Sequence, residues 1–276
     1  MRGPAHPSIG RHLDLRGSRL HYRIAGRGPA ILLLHGWALD GRLWTPLLAR
    51  LAQRHRVITV DRRGFGRSTG SVSLDREAQD LRVLFLRLGL TRAAVLGMSQ
   101  GARVALRLAQ GRTPALRALI LDGPPAPPRR PGDPGHEDPP LARYRSLLAA
   151  EGVNAFRREW RAHPLLTLRQ PRTSSRWLLA RMLARYRAQD LRAAPRADGA
   201  RRRVDPRTIR TPTLVLVGGK DQPARLAAAT ALRAQLPRAQ LARVAGAGHL
   251  PNLDQPRAYA RALEAFLRRH GPVPGR

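Results

Sequence analysis

The chain has no cysteine, and only one lysine, Lys220, among its 51 basic residues. The first absence excludes disulfide bonds and any thiolate nucleophile or ligand. The second places nearly all positive charge on arginine. Acids are also few: 18 Asp and Glu leave a formal net charge of +33 over 276 residues. Aromatic residues make up 4%. No apolar run approaches the roughly 18 to 20 residues that a membrane-spanning helix needs, so no membrane insertion is expected. Residues Met1 to Gly10 hold Pro, His and Gly and lack the apolar core of a secretion signal, which predicts a cytoplasmic location.

The charge has two readings. A polyanion such as nucleic acid or an anionic membrane would be drawn to it. A GC-rich genome would also load Arg, Ala, Pro, Gly and Leu together and starve Lys. The arginines are spread along the whole chain, and no nucleic-acid module accompanies them. The compositional reading is preferred, with no specific nucleic-acid partner. It accounts for arginine over lysine better than for the scarcity of acids, so non-specific polyanion binding at low salt is expected.

What is present is an alternation of strand and helix. Two alternating runs, His12 to Leu15 and Arg19 to Ile24, flank Gly17 and read as a hairpin. Continuous apolar runs such as Ala30 to Leu34 and Val57 to Val60 suit strands buried on both faces of a parallel sheet. Helical patterns follow, from about Trp44 to Gln53 and from Asp75 to Leu88. A strand at Ala93, the helix after Ser99 and a strand at Arg117 to Leu121 complete the first half. The alternation stops at Pro124. Residues 124–140 and 195–211 read as linkers around purely helical patterns at Leu141 to Ala150, Val153 to Arg161 and Ser175 to Leu191. Strands at Thr213 to Val217 and Gln240 to Val244 then alternate with helices at Pro223 to Leu236 and Asp254 to His270. The expected architecture is α/β: a mostly parallel eight-stranded sheet with helices on both faces and a helical cap inserted after the sixth strand. Residues 12–123 and 212–270 form the core, 124–211 the linkers and cap, and 1–11 and 271–276 flexible termini.

The most informative segment is Gly97-Met98-Ser99-Gln100-Gly101, a serine at a sharp turn between a strand and a helix. Such a turn holds the serine backbone under strain and needs tiny neighbours, which Gly97 and Gly101 supply. The Gln100 N–H, at the helix start, suits an oxyanion. A serine hydroxyl needs a base within hydrogen-bond reach, and the base needs a carboxylate to fix its tautomer. In a parallel sheet, chemistry gathers beyond the carboxyl ends of the strands. Ser99, Asp221 and His249 each fall just past a predicted strand, in loops on that edge. Asp122 also ends a strand. Asp221 is preferred because the Gly218-Gly219 turn aims it at the His249 loop. Asp61 is read as binding the amides of the Arg63–Gly66 turn. The second oxyanion donor is assigned to the Trp37 N–H, with Gly36 giving close approach and His35 structural.

His35-Gly36-Trp37, Asp61-Arg62-Arg63-Gly64-Phe65-Gly66-Arg67-Ser68, Gly97-Met98-Ser99-Gln100-Gly101, Gly219-Lys220-Asp221 and Gly248-His249 together resemble the α/β-hydrolase superfamily, over nearly all of residues 12–270. The order Ser, Asp, His agrees with it. Within the superfamily the chain is similar to 3-oxoadipate enol-lactonase-like esterases and to cofactor-free haloperoxidases, departing from the latter at Gln100 and Ala102. The resemblance implies a serine hydrolase acting on a small-molecule ester or lactone, with no metal and no cofactor. Ser99 is then the nucleophile, His249 the base, Asp221 its orienting acid, and the amides of Trp37 and Gln100 the oxyanion hole. Trp37, Gln100, Trp160 and Trp177 are the candidate substrate-binding side chains. A C–C bond hydrolase with the same triad, a low-turnover receptor, and a polyanion-binding protein with a vestigial site are the alternatives. Oligomeric state is not predicted.

Overall fold

In a computed structural model, residues 9–125, 139–192 and 204–272 are described. The chain opens with β1 (Ile9–Leu15) and β2 (Ser18–Ala25), a hairpin turned at Gly17, whose φ of 70° suits a residue without a side chain. Residues 9–11 thus belong to the sheet and not to a loose terminus. Next come β3 (Ala30–Leu34), a 3₁₀ turn at Gly41–Trp44, α1 (Thr45–Leu51) and β4 (Arg56–Val60). The order continues through α2 (Leu74–Arg87), β5 (Ala93–Met98), α3 (Gln100–Gln110) and β6 (Leu116–Asp122).

The eight strands form one sheet in the order β1-β2-β4-β3-β5-β6-β7-β8. Here β7 is Thr213–Gly218 and β8 is Ala239–Val244. The first three in that order pair antiparallel, and β4 onward pair parallel. All five residues of β3 are buried. Ile31 and Leu33 enter one apolar core and Leu32 and Leu34 the other, because successive strand side chains point to opposite faces. Each such leucine contributes about 1.5–3 kcal/mol by leaving water. Continuous apolarity is therefore what a two-sided central strand requires.

Between β6 and β7 lies a helical insert. It comprises α4 (Leu141–Ala162), α5 (Thr173–Arg185) and α6 (Gln189–Arg192). α4 leaves helical geometry at Gly152, with φ 80° and ψ −178°, so two helical segments meet there as the sequence indicates. The helix expected over 175–191 is instead divided. Tyr186 turns extended and Ala188 takes φ 53°, which carries the buried Tyr186 ring inward. Most of the expected linkers, residues 126–138 and 193–203, lie outside the described residues, as do 1–8 and 273–276.

After β7 follow α7 (Pro223–Gln235), β8, α8 (Pro251–Asp254) and α9 (Pro256–His270). A single helix from Asp254 was expected. Pro256 disfavours helical geometry in Gln255, which sits at φ −131° and ψ 60°, so the helix divides there. No helix among the described residues is long and apolar enough to cross a membrane.

Candidate active site

Ser99 occupies the turn from β5 to α3 with φ 52° and ψ −116°. A non-glycine residue at positive φ stores roughly 1–3 kcal/mol of strain. The surroundings fix it there. A Cβ on Gly97 would lie 2.3 Å from the Gly101 carbonyl oxygen, and one on Gly101 would lie 2.6 Å from that of Leu34. Both are backbone atoms that cannot swing aside, so strand and helix approach as closely as two glycines permit. The Ser99 amide donates to the Asp122 carbonyl at 2.7 Å, anchoring the turn to the end of β6.

His249 reaches the same strand end from the other side. It follows β8, and its ring lies against Gly123: a Cβ there would be 2.9 Å from His249 Cε1 and 3.8 Å from Asp221 Oδ2. The loops carrying Asp221 and His249 are laced together, with Gly219 N donating to Val244 O and Lys220 N to Ala247 O, each at 2.8 Å. Both side chains are buried, and His249 Nδ1 donates to Asp221 Oδ2 at 2.8 Å. A carboxylate only accepts, so Nδ1 carries a proton, and in a neutral imidazole this leaves the lone pair on Nε2. Among the described residues the Ser99 hydroxyl makes no hydrogen bond to His249; each is anchored at the end of β6, Ser99 by the Asp122 carbonyl and His249 against Gly123.

Asp122, the rival acid, is fully buried and turned elsewhere. Tyr259 OH donates to its Oδ2 at 3.0 Å, and Oδ1 has no partner. Burial pushes its pKa well up, the Tyr259 hydroxyl opposes that, and the nearby Asp221 adds to it. Asp122 is thus desolvated and engaged by Tyr259, while Asp221 is the one that meets the imidazole.

On the opposite side stands the loop after β3. A Cβ on Gly36 would fall 2.7 Å from Met98 Sδ and 3.4 Å from Ser99 Cβ, so this loop abuts the serine turn. The Trp37 amide N–H has no hydrogen-bond partner among the described residues. Gln100, as the first residue of α3, has no carbonyl one turn back to bond. His35 is structural: its Nε2 accepts from the Arg62 amide at 2.9 Å, and Nδ1 meets Gly36 O at 2.7 Å. Burial, helped by the Arg62 charge, lowers its pKa to about 4. Asp61 binds backbone amides as expected, but those of Gly41 at 2.7 Å and Arg67 at 2.9 Å.

Sequence alone assigns no role to three supporting groups. Arg62, 2% exposed, pairs with Glu77 at 2.7 Å and donates to Gln100 Oε1 at 2.8 Å and to His35 O at 3.1 Å. Asp254 accepts from Gly248 N at 2.7 Å and from Arg169 N at 2.7 Å, tying the His249 loop to the insert. Asp190 of α6 accepts from Trp37 Nε1 at 2.7 Å and from Tyr186 OH at 2.5 Å. The doubled arginine after Asp61 was the visible clue to the first; acids on helices look alike in sequence.

The Trp37 ring lies within 4.8 Å of Trp160 and within 6.1 Å of Tyr144, Phe156 and Tyr186. The insert thus roofs the loop beside Ser99 with aromatic rings. Trp177 is not among them. It is 58% exposed, with the Arg181 guanidinium 4.3 Å above its ring. Among the described residues no group of three or more His, Asp or Glu side chains is placed to hold a metal ion.

Residues 31–262 match the model of the alpha/beta hydrolase family. The chain belongs to that family. The hydrolase is 30% identical over 260 residues to the pimeloyl-[acyl-carrier protein] methyl ester esterase of Nitrosomonas europaea, covering 90% of this chain and 99% of the relative. It superposes on a thermophilic esterase from Thermogutta terrifontis with a TM-score of 0.75 and 28% identity, over 91% and 94% of the two chains. The enol-lactonase of Burkholderia xenovorans LB400 shares the fold, with a TM-score of 0.76 at 22% identity over 94% and 100%.

Proposed function

We propose that this hydrolase cleaves a carboxylic ester or lactone through an acyl-enzyme on Ser99. The carrying observation is the buried 2.8 Å bond between His249 and Asp221, seated against the glycine after the strand end that anchors Ser99. His249 Nε2 removes the hydroxyl proton as Ser99 Oγ attacks the carbonyl carbon. The N–H groups of Trp37 and Gln100 receive the charge that develops on the carbonyl oxygen. His249 then returns the proton to the leaving alcohol, and water releases the acid by the same route reversed. Asp221 holds the imidazole and balances its charge without being protonated.

The helices between β6 and β7 act as a cap, and Trp37, Trp160 and Gln100 contact the substrate. The aromatic roof favours an apolar acyl group at the scissile carbonyl. The name of the Nitrosomonas relative supports esters of small alcohols, including those whose acyl chain is borne on a carrier protein. The test is hydrolysis of p-nitrophenyl acetate and of a panel of short methyl esters and lactones. Ser99→Ala is expected to lower kcat on the order of 10⁴-fold or more. Full activity in that variant would end the proposal.

A further inference from the structure

A cavity of about 70 Å³ opens at the seam between the sheet and the insert, and none of Ser99, Asp221 or His249 lines it. A single water needs roughly 10–15 Å³, so the space takes several waters or one anion with four oxygens. Four arginines and two carboxylates border it: Arg23, Arg42, Arg67 and Arg185, with Asp40 and Asp61.

The two acids are already committed. Asp40 takes Arg42 in a fork, accepting from Nε at 2.9 Å and Nη2 at 2.6 Å. Asp61 accepts from Gly41 N and Arg67 N, and from His21 Nδ1 at 3.1 Å. Burial raises the Asp61 pKa, but the His21 and amide hydrogen bonds outweigh it and hold the group at about 2. It is therefore an anion whose oxygens are already engaged. The side chains of Arg23, Arg67 and Arg185 form no hydrogen bond or ion pair with any described residue. With Asp40 paired to Arg42, the ionised Asp61 is set against Arg23, Arg67 and Arg185, so the lining carries an excess of two positive charges around one small space. Like charges so placed repel, and a dianion between them relieves the repulsion. The planar guanidinium fork matches phosphate oxygens better than a water does.

His21, which also lines the cavity, adds to the picture. It is 3% exposed, its Nδ1 is used by Asp61, and its Nε2 is buried without a partner. Gly10 leaves that nitrogen its room, since a Cβ there would lie 2.9 Å away. Arg23 stands on β2, Arg67 in the loop after β4, and Arg185 at the end of α5. Arg187 reaches Gly66 O across the same seam at 3.4 Å.

We propose that this cavity binds one tetrahedral oxyanion of the phosphate class, held by Arg23 and Arg67 of the sheet side and Arg185 of the insert, so that the bound anion ties the two together. The reading is independent of the chemistry at Ser99. The experiment is calorimetric titration of the full chain with inorganic phosphate and with methyl phosphate, at constant ionic strength set by chloride. Saturable one-site binding is expected. Arg23→Gln/Arg185→Gln is expected to weaken it at least tenfold, Arg67→Gln also to weaken it, and the exposed control pair Arg87→Gln/Arg233→Gln to leave it unchanged. Thermal unfolding without phosphate checks that each variant is folded. Equal affinity for the two probes assigns the site to the free ion, and tighter methyl phosphate assigns it to the head of an organic phosphate. Heats that chloride reproduces, or equal losses in the seam and control pairs, would overturn the proposal.

Discussion

At the scale of single residues, two acids 99 positions apart in sequence end up at the same strand end, and only one of them meets the imidazole. Asp221 receives the His249 N–H, whereas Asp122 is desolvated and held by Tyr259. Asp221→Asn is expected to lower kcat about 10⁴-fold, because the amide favours the wrong imidazole tautomer. Asp122→Asn alters a group held by Tyr259 and not by the imidazole, so kcat is expected to stay within a few-fold; steady-state assays of both variants on one ester decide. His35 supplies a second test. Its folded pKa of about 4 lies below the ordinary histidine value of 6.5, so the unfolded chain binds more protons between those limits. The His35 contribution is complete above pH 6.5 and is lost progressively as pH falls to about 4, amounting to about 3 kcal/mol. Urea unfolding at a series of pH values is expected to show a slope in that window that is about one proton shallower in His35→Gln.

At the scale of elements, the serine turn is held from below by α2. Glu77 of that helix fixes Arg62, which in turn orients the Gln100 carboxamide and the His35 carbonyl. Glu77→Ala leaves a guanidinium buried without its partner, which costs about 3–5 kcal/mol. A matching fall in urea stability is expected, with a lower kcat because the start of α3 loses its brace. The order of strands and helices was legible because burial on two faces forces continuous apolar runs, as in Ala30–Leu34, while helices keep an apolar stripe. The Ser99 turn was legible because Gly97 and Gly101 answer a steric demand seen in sequence alone. The break at Tyr186 was not. It arises from a buried aromatic contact and an Asp190 hydrogen bond, neither of which has a local periodicity. Trp177 and Trp160 likewise look alike as letters, and only packing puts one in solvent and the other against Trp37.

At the scale of the whole molecule, a chain with a formal charge of +33 keeps some arginines as internal structure. Arg62 and Arg63 are buried against Glu77 and Asp80, so those charges belong to the core, not to a polyanion surface. The fold's main consequence is convergence. The loops after β5, β7 and β8 start from three distant stretches of sequence and finish around the end of β6. The proposed relay of nucleophile, base and acid predicts that Ser99 is far more reactive than any other hydroxyl in the chain. Fluorophosphonate labelling read by intact mass and peptide mapping tests this directly. One adduct on Ser99 is expected, forming at least a hundredfold more slowly in His249→Ala. An unlabelled Ser99, or equal labelling rates with and without the imidazole, would contradict the account.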